Sequence, residues 1–486
     1  MRQLIAKRHH RTALVLAGAA SAVLISASMA SATMAITAAD TAAAPTVTSY
    51  SGALPNGATW KAELPGNWNG TLLLYSHGYL PSFFNLPNQP QDAPDPTTAA
   101  ALLAEGYGLT GSSYAATGWA LNTAPQDQLD SLAATIKAIG RRPHRVLAVG
   151  TSMGGLVTAK LAEIGRGRIQ GALATCGIVA GGAALGNYQL DGEFAIARLL
   201  APGQQLTLAG FTGFAEASAT TAALLAAVQQ AQGSAEGRAR IALAAALYQA
   251  PSWLPNQPPP AKDDPAAVEL GQYQWLLQIL QFTTPARVDI ETAMGGNPAW
   301  NKGVDYRKLL NQATDRDTVR ALYRTAGIRL DTDLKALTAE AATTADPPAV
   351  RRIFATSVPF GRLQMPVLTL HTTADQLVPV QQEDAYRTAV TRAGRSPLLR
   401  QAFVARQGHC NFTPAELVAA VHALDHRVGT GRWDGLTSAE ALQHEADRLG
   451  LGGAAYVRFR PGQLLRASFG GNNGLPFAST SGTNRG

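Results

Sequence analysis

Apolar positions along this chain fall into short continuous runs separated by amphipathic stretches. Residues 59–64 alternate as a half-buried strand does. After the turn Pro65-Gly66-Asn67-Trp68-Asn69-Gly70, residues 71–76 read Thr-Leu-Leu-Leu-Tyr-Ser, the pattern of a strand covered on both faces. Helical spacing follows over 96–105, a strand over 107–114, an amphipathic helix over 126–139 and another apolar strand over 145–149. A helix over 153–164 and a strand over 169–175 continue the alternation. This rhythm predicts an α/β fold with a mostly parallel central sheet and helices on both faces.

The alternation stops near Gly186. Residues 187–360 are rich in Ala, Leu and Gln with helical periodicity, broken by Pro-rich stretches at 251–265 and 346–348, and predict a large helical insertion. Strand signals resume over 367–371 and 399–405, around a helix over 381–393, so the insertion interrupts one domain. Residues 413–424 are helical in pattern, and the tail carries an amphipathic stretch over 438–449 before a Gly, Asn and Ser-rich end. The expected organisation is a first part of the core over 46–186, the insertion over 187–360, a second part of the core over 361–430 and a C-terminal extension over 431–486.

The N-terminus changes the expected compartment. Arg2, Lys7, Arg8 and Arg11 precede an apolar stretch over 12–25 and the small triplet Ala30-Ser31-Ala32, the order of a secretory signal peptide over 1–32 followed by a flexible leader over 33–45. The stretch is short of the roughly 20 apolar residues that span a bilayer, and no later run is longer. A secreted or extracytoplasmic protein, with no membrane association after signal removal, is the expectation. Removing the four basic side chains of that segment lowers the formal charge from +7 to +3, which points to no nucleic-acid partner. The basic cluster Arg141-Arg142-Pro143-His144-Arg145 reads as a solvated loop. With 46% hydrophobic and 15% charged residues over 486 positions, the chain is globular and too long for one minimal core.

Gly150-Thr151-Ser152-Met153-Gly154 is the only Gly-x-Ser-x-Gly in the sequence, and it lies between a predicted strand and a predicted helix. A serine becomes an effective nucleophile when a tight strand-to-helix turn projects its oxygen, and flanking glycines leave room for that backbone. With His77-Gly78 after an earlier strand, this elbow resembles the α/β-hydrolase superfamily over most of residues 44–427, apart from the insertion.

The resemblance implies Ser152 as nucleophile, with an oxyanion hole formed by the backbone N–H groups of Met153 and Tyr79. It implies an acid after a late strand, and Leu368-Thr369-Leu370-His371-Thr372-Thr373-Ala374-Asp375 followed by Leu377-Val378-Pro379 marks Asp375, with Asp191 as the alternative. The histidine expected after the last strand is His409, in Gln407-Gly408-His409-Cys410. His77 reads as a structural residue of its loop, and His371, His422 and His426 as packing or surface residues. His422 and His426 stand four apart but lack the zinc-protease Glu, so no metal site is expected, and the acyl-transfer chemistry needs no cofactor.

The histidine half also resembles tannases and feruloyl esterases, whose histidine is followed by a cysteine. There the partner cysteine precedes the nucleophile, where this chain has Thr151. Cys176 and Cys410 are the only cysteines, and export allows either a disulfide bracing the histidine loop or two free thiols. In the superfamily an inserted helical block caps the nucleophile and shapes its pocket. Its aromatics, Trp275, Phe282, Trp300 and Tyr306 among them, read mostly as the insertion's own core, and 295–301 as an interhelical loop. The implied activity is serine hydrolysis of a small-molecule or polymeric carboxylic ester, the alternatives being a secreted exopeptidase and a catalytically silent binding protein.

Overall fold

The computed structural model describes residues 46–468, so the predicted signal segment and leader, and the end of the tail, lie outside the described residues. Nine strands form one sheet: β1 (Val47–Ala53), β2 (Thr59–Pro65), β3 (Thr71–Ser76), β4 (Gly108–Ser112), β5 (Arg145–Thr151), β6 (Gly171–Thr175), β7 (Val367–Ala374), β8 (Leu399–Gln407) and β9 (Tyr456–Val457). Their order is β1-β2-β4-β3-β5-β6-β7-β8-β9. From β4 to β8 neighbouring strands run parallel, whereas β1, β2 and β9 pair antiparallel at the two ends. The continuous apolar runs have the cause expected for parallel strands, since β3, β4 and β6 are buried at every position.

Helices α1 (Pro96–Ala104), α2 (Ala124–Ile139) and α3 (Met153–Ile164) connect the first parallel strands. Between β6 and β7 come α4 (Gly182–Leu200), α5 (Phe214–Ala231), α6 (Ala235–Tyr248), α7 (Pro265–Met294), α8 (Tyr306–Gln312), α9 (Arg316–Thr325), α10 (Leu330–Glu340) and α11 (Pro347–Ser357). The helical block thus starts at Gly182, ahead of the composition change at 187. Helices α12 (Gln382–Arg392), α13 (Pro414–Thr430) and α14 (Ala439–Leu449) complete the chain.

Two apolar clusters cover the two faces of the sheet. On one, side chains of α1, α13 and α14, such as Leu102, Val418 and Leu442, pack on Leu73, Leu147 and Leu368. On the other, Leu129 of α2 and Leu156 of α3 join Leu72 and Ala148, and the same cluster runs on into Leu243, Leu276 and Tyr306 of the inserted helices. The insertion therefore shares a core with the sheet, which fixes it against the ends of the strands. No helix among the described residues is long and apolar enough to cross a membrane.

Candidate active site

The parallel register brings the C-terminal ends of β5, β6, β7 and β8 to one edge, with Gly150 opposite Ala174 and Leu370 opposite both Thr175 and Ala402. The loops leaving that edge carry Ser152, Cys176, Asp375 and His409.

Ser152 sits between β5 and α3 with φ 58° and ψ −120°, a backbone region that costs a non-glycine residue on the order of 1–3 kcal/mol. The surroundings enforce it. A Cβ at Gly150 would lie 2.2 Å from the carbonyl oxygen of Gly154, and one at Gly154 would lie 1.9 Å from that of Ser76. The turn is this tight because strand and helix cross without side chains between them, the close approach that a Gly-x-Ser-x-Gly elbow requires. The strand order and this elbow are those of the α/β-hydrolase fold.

In this fold the three side chains singled out in the sequence meet. The Ser152 Oγ lies 2.8 Å from Nε2 of His409, and His409 Nδ1 lies 2.7 Å from Oδ2 of Asp375. Asp375 is 2% exposed, and its Oδ1 accepts the backbone N–H groups of Leu377 and Val378 at 2.9 and 2.8 Å. Burial alone would push this carboxyl up, but the imidazoles of His409 and His371 hold it well below the usual carboxylate range. An ionised Asp375 accepts only, so Nδ1 of His409 carries the hydrogen and Nε2 is free to accept from Ser152. The alternative acid, Asp191, lies elsewhere, accepting from Tyr306 and Arg466 inside the insertion.

The histidine loop is fixed from both sides. Cys410 and Cys176 form a disulfide, and Cys410 Sγ lies 3.3 Å from Nε2 of His409. Beyond it, Glu416 of α13 is fully buried, pairs with Arg406 and accepts the N–H groups of Thr413 and Ala455. Cys176 and Cys410 join Ser152 in the left-handed region, at φ 44° and 55°, so three non-glycine residues with strained backbones converge here. The only grouping of metal-ligating types among the described residues, Cys176, His409 and Cys410, has both sulfurs in the disulfide.

The predicted oxyanion loop follows β3. A Cβ at Gly78 would lie 3.5 Å from that of Ser152, so the Gly78-Tyr79 backbone runs alongside the serine. Among the described residues the N–H groups of Met153 and Tyr79 donate to no protein acceptor. His77 is buried, lies 2.7 Å from the carbonyl of Gly78 through Nδ1 and stacks on Tyr114. Burial pushes its pKa down, which suits the structural part read for it. Tyr79 points into the insertion, where its hydroxyl donates to Asp289 of α7.

His371 is more than packing. It is fully buried behind Asp375, with Nε2 2.8 Å from the carbonyl of Val378 and Nδ1 3.2 Å from Oε1 of Glu383 on α12. Neither Asp289 nor Glu383 was foreseen, because neither belongs to a motif and each reaches the site only through the packing of a distant helix. His422 and His426 pair with Glu105, Glu445 and Asp434 at the surface, away from the site. Arg141 and Arg142 are exposed.

Ser152 and His409 open into a cavity of about 260 Å³ whose walls include Trp119, Ile178, Leu185, Phe282, Ile290 and Val378. Phe282, Ala286 and Ile290 face it from α7, four residues apart along one helical stripe.

No family model matches this sequence. The chain is 27% identical over 419 residues to o-phthalyl amidase of Xanthobacter agilis, an alignment spanning 79% of this chain and 88% of that protein. Among solved structures it is similar to an esterase from Aspergillus oryzae, at 14% identity and a TM-score of 0.35 over 77% of this chain and 78% of the other. It is also similar to the acylaminoacyl peptidase of Pyrococcus horikoshii, at 8% identity and a TM-score of 0.35 over 85% of this chain and 41% of that one.

Proposed function

We propose that this chain is an exported serine hydrolase of the α/β-hydrolase superfamily that cleaves carboxylic esters through an acyl-enzyme. The observation that carries the reading is the continuous contact from Ser152 Oγ through the His409 ring to the buried Asp375 carboxylate. In the first step Oγ bonds to the ester carbonyl carbon while its proton passes to Nε2 of His409. The carbon–oxygen bond to the alcohol then breaks, and that proton goes to the departing oxygen. Water repeats the sequence with Ser152 Oγ as leaving group, and the free acid departs. The N–H groups of Met153 and Tyr79 would hold the oxyanion. The substrate partner is a small-molecule or polymeric ester. The disulfide and the signal-like N-terminus support a site of action outside the cytoplasm.

Amide hydrolysis is the second reading, and the likeness to o-phthalyl amidase favours it. Matched aryl esters and anilides of one acid, assayed with wild type and Ser152→Ala, test both. Fluorophosphonate labelling of the wild type, absent in Ser152→Ala, is expected. An unlabelled Ser152 with undiminished turnover in the alanine variant would sink the mechanism.

A further inference from the structure

The cavity beside Ser152 carries information about charge that the three reacting residues do not. Apart from His409, its lining contains no ionisable side chain other than Tyr79, whose hydroxyl is committed to Asp289. The remaining polar side chains of its wall, besides Ser152 and Trp119, whose indole N–H is spent on Ser357, are Gln189 and Thr283, both buried. The Thr283 hydroxyl already donates to the carbonyl of Ile279 and meets Tyr248. The nearest turn of α7 does hold a cation, but Arg287 faces away from the cavity-lining stripe. Its guanidinium is 2% exposed, pairs with Glu193 at 2.9 Å and donates to the carbonyl of Gly186 at 3.2 Å. The charged groups that border the cavity through their partners are the carboxylates of Asp289, behind Tyr79, and Asp375, behind His409, and the imidazole of His371, which is taken up by Asp375, Glu383 and the carbonyl of Val378.

We infer that the substrate group seated in this cavity is uncharged and apolar, of the size of one substituted aromatic ring, and that a carboxylate there is rejected. The inference rests on the proposed hydrolase reading for the position of the scissile bond, and it separates this chain from a site built for a dicarboxylic acyl group. An apolar protein cavity of about 150 Å³ holds benzene, so about 260 Å³ takes a ring and a small substituent. A carboxylate in the same space would give up its hydration and find no lysine or arginine in the wall to pair with. Gln189 can meet a neutral polar substituent and cannot neutralise an ionised one.

The test compares carboxylate and carbamoyl isosteres, which match in size and differ in charge, placed on either side of the ester. Aryl esters of 4-carboxybenzoic and 4-carbamoylbenzoic acid probe the acyl side, and benzoates of 4-hydroxybenzoic acid and 4-hydroxybenzamide probe the leaving group. On at least one side the carboxylate is expected to lower kcat/KM by about a hundredfold or more. A penalty below about tenfold on both sides overturns the inference. Failure of the hydrolase reading shows up separately, as no turnover of any of the four and no fluorophosphonate label on Ser152. In that event calorimetry of benzamide and benzoate with Ser152→Ala still decides the matter: benzamide binding more tightly supports the uncharged cavity, and equal or tighter benzoate binding overturns it.

Discussion

The hydroxyl of Tyr79, beside Ser152, donates to the carboxylate of Asp289 on α7, 210 residues further along the chain. Asp289 also accepts the backbone N–H of Ser82 at 3.0 Å and its hydroxyl at 2.5 Å. The loop after β3 is therefore held to the insertion by one buried carboxylate at two points. Burial and this carboxylate together push the Tyr79 phenol above its ordinary range, so it stays a donor.

If the Tyr79 N–H serves an oxyanion, Asp289 acts at a distance by positioning it. Hydrogen bonds to a charged group contribute about 1.5–3 kcal/mol, so Tyr79→Phe and Asp289→Asn are each expected to lower kcat by about tenfold or more with little change in KM. Because both changes break one contact, the double variant should lose less than the product of the two. Steady-state kinetics of the four proteins checks this, and full multiplicativity would mean the contact does not reach the chemistry.

Asp375→Asn probes the tautomer of His409. With the two backbone N–H groups still requiring an oxygen, the new amide nitrogen faces His409 and favours hydrogen on Nε2, where it blocks acceptance from Ser152. The expected outcome is a fall in kcat of about 10³-fold or more, with the near-UV circular dichroism of the wild type retained. Turnover close to wild type would remove Asp375 from the reaction.

His371 makes a prediction about stability against pH. Burial disfavours its charge, but hydrogen bonds to Asp375 and Glu383 more than offset this and push the imidazole up from 6.5 to about 10. A pKa raised on folding stabilises the protein fully below the unfolded value and loses that contribution as pH rises through the folded one. Wild-type stability should therefore decline between pH 6.5 and about 10, and His371→Gln should flatten that decline. Urea unfolding of both proteins at pH 6, 8 and 10 measures it, and parallel curves would show that His371 is neutral in the fold.

Ser152, Asp375 and His409 were legible because each closely follows a segment with a strand pattern, in the order that the resemblance requires, and the elbow glycines record the closest backbone approach in the site. The disulfide was open only as one of two states, since residue types do not report the distance between Cys176 and Cys410. Strand β1 gave little signal because its side chains are mostly exposed, with no buried face to alternate against. Asp289, Glu383 and Gln189 were silent for another reason: each sits on a helix whose turns look alike, and only tertiary packing selects the one that reaches the site.

The C-terminal extension supplies the last case. Arg466 is 1% exposed, with Nη1 2.6 Å from Oδ2 of Asp191 on α4 and Nη2 2.9 Å from the carbonyl of Trp300. Asp191 receives the Tyr306 hydroxyl as well, at 2.8 Å, so a residue near the end of the chain closes a polar network within the insertion. Burial raises the Asp191 pKa, and Arg466 and Tyr306 counter that rise. Replacing Arg466 by Met keeps much of the side-chain volume and strands a buried carboxylate, which costs about 3–5 kcal/mol. Arg466→Met should therefore lower the denaturation midpoint clearly. The double change Arg466→Met with Asp191→Leu removes both charges and should recover part of the loss, because a pair replaced by apolar groups of similar size is far less costly than a pair broken. An unchanged midpoint in Arg466→Met would mean that the extension lies over the insertion without holding it.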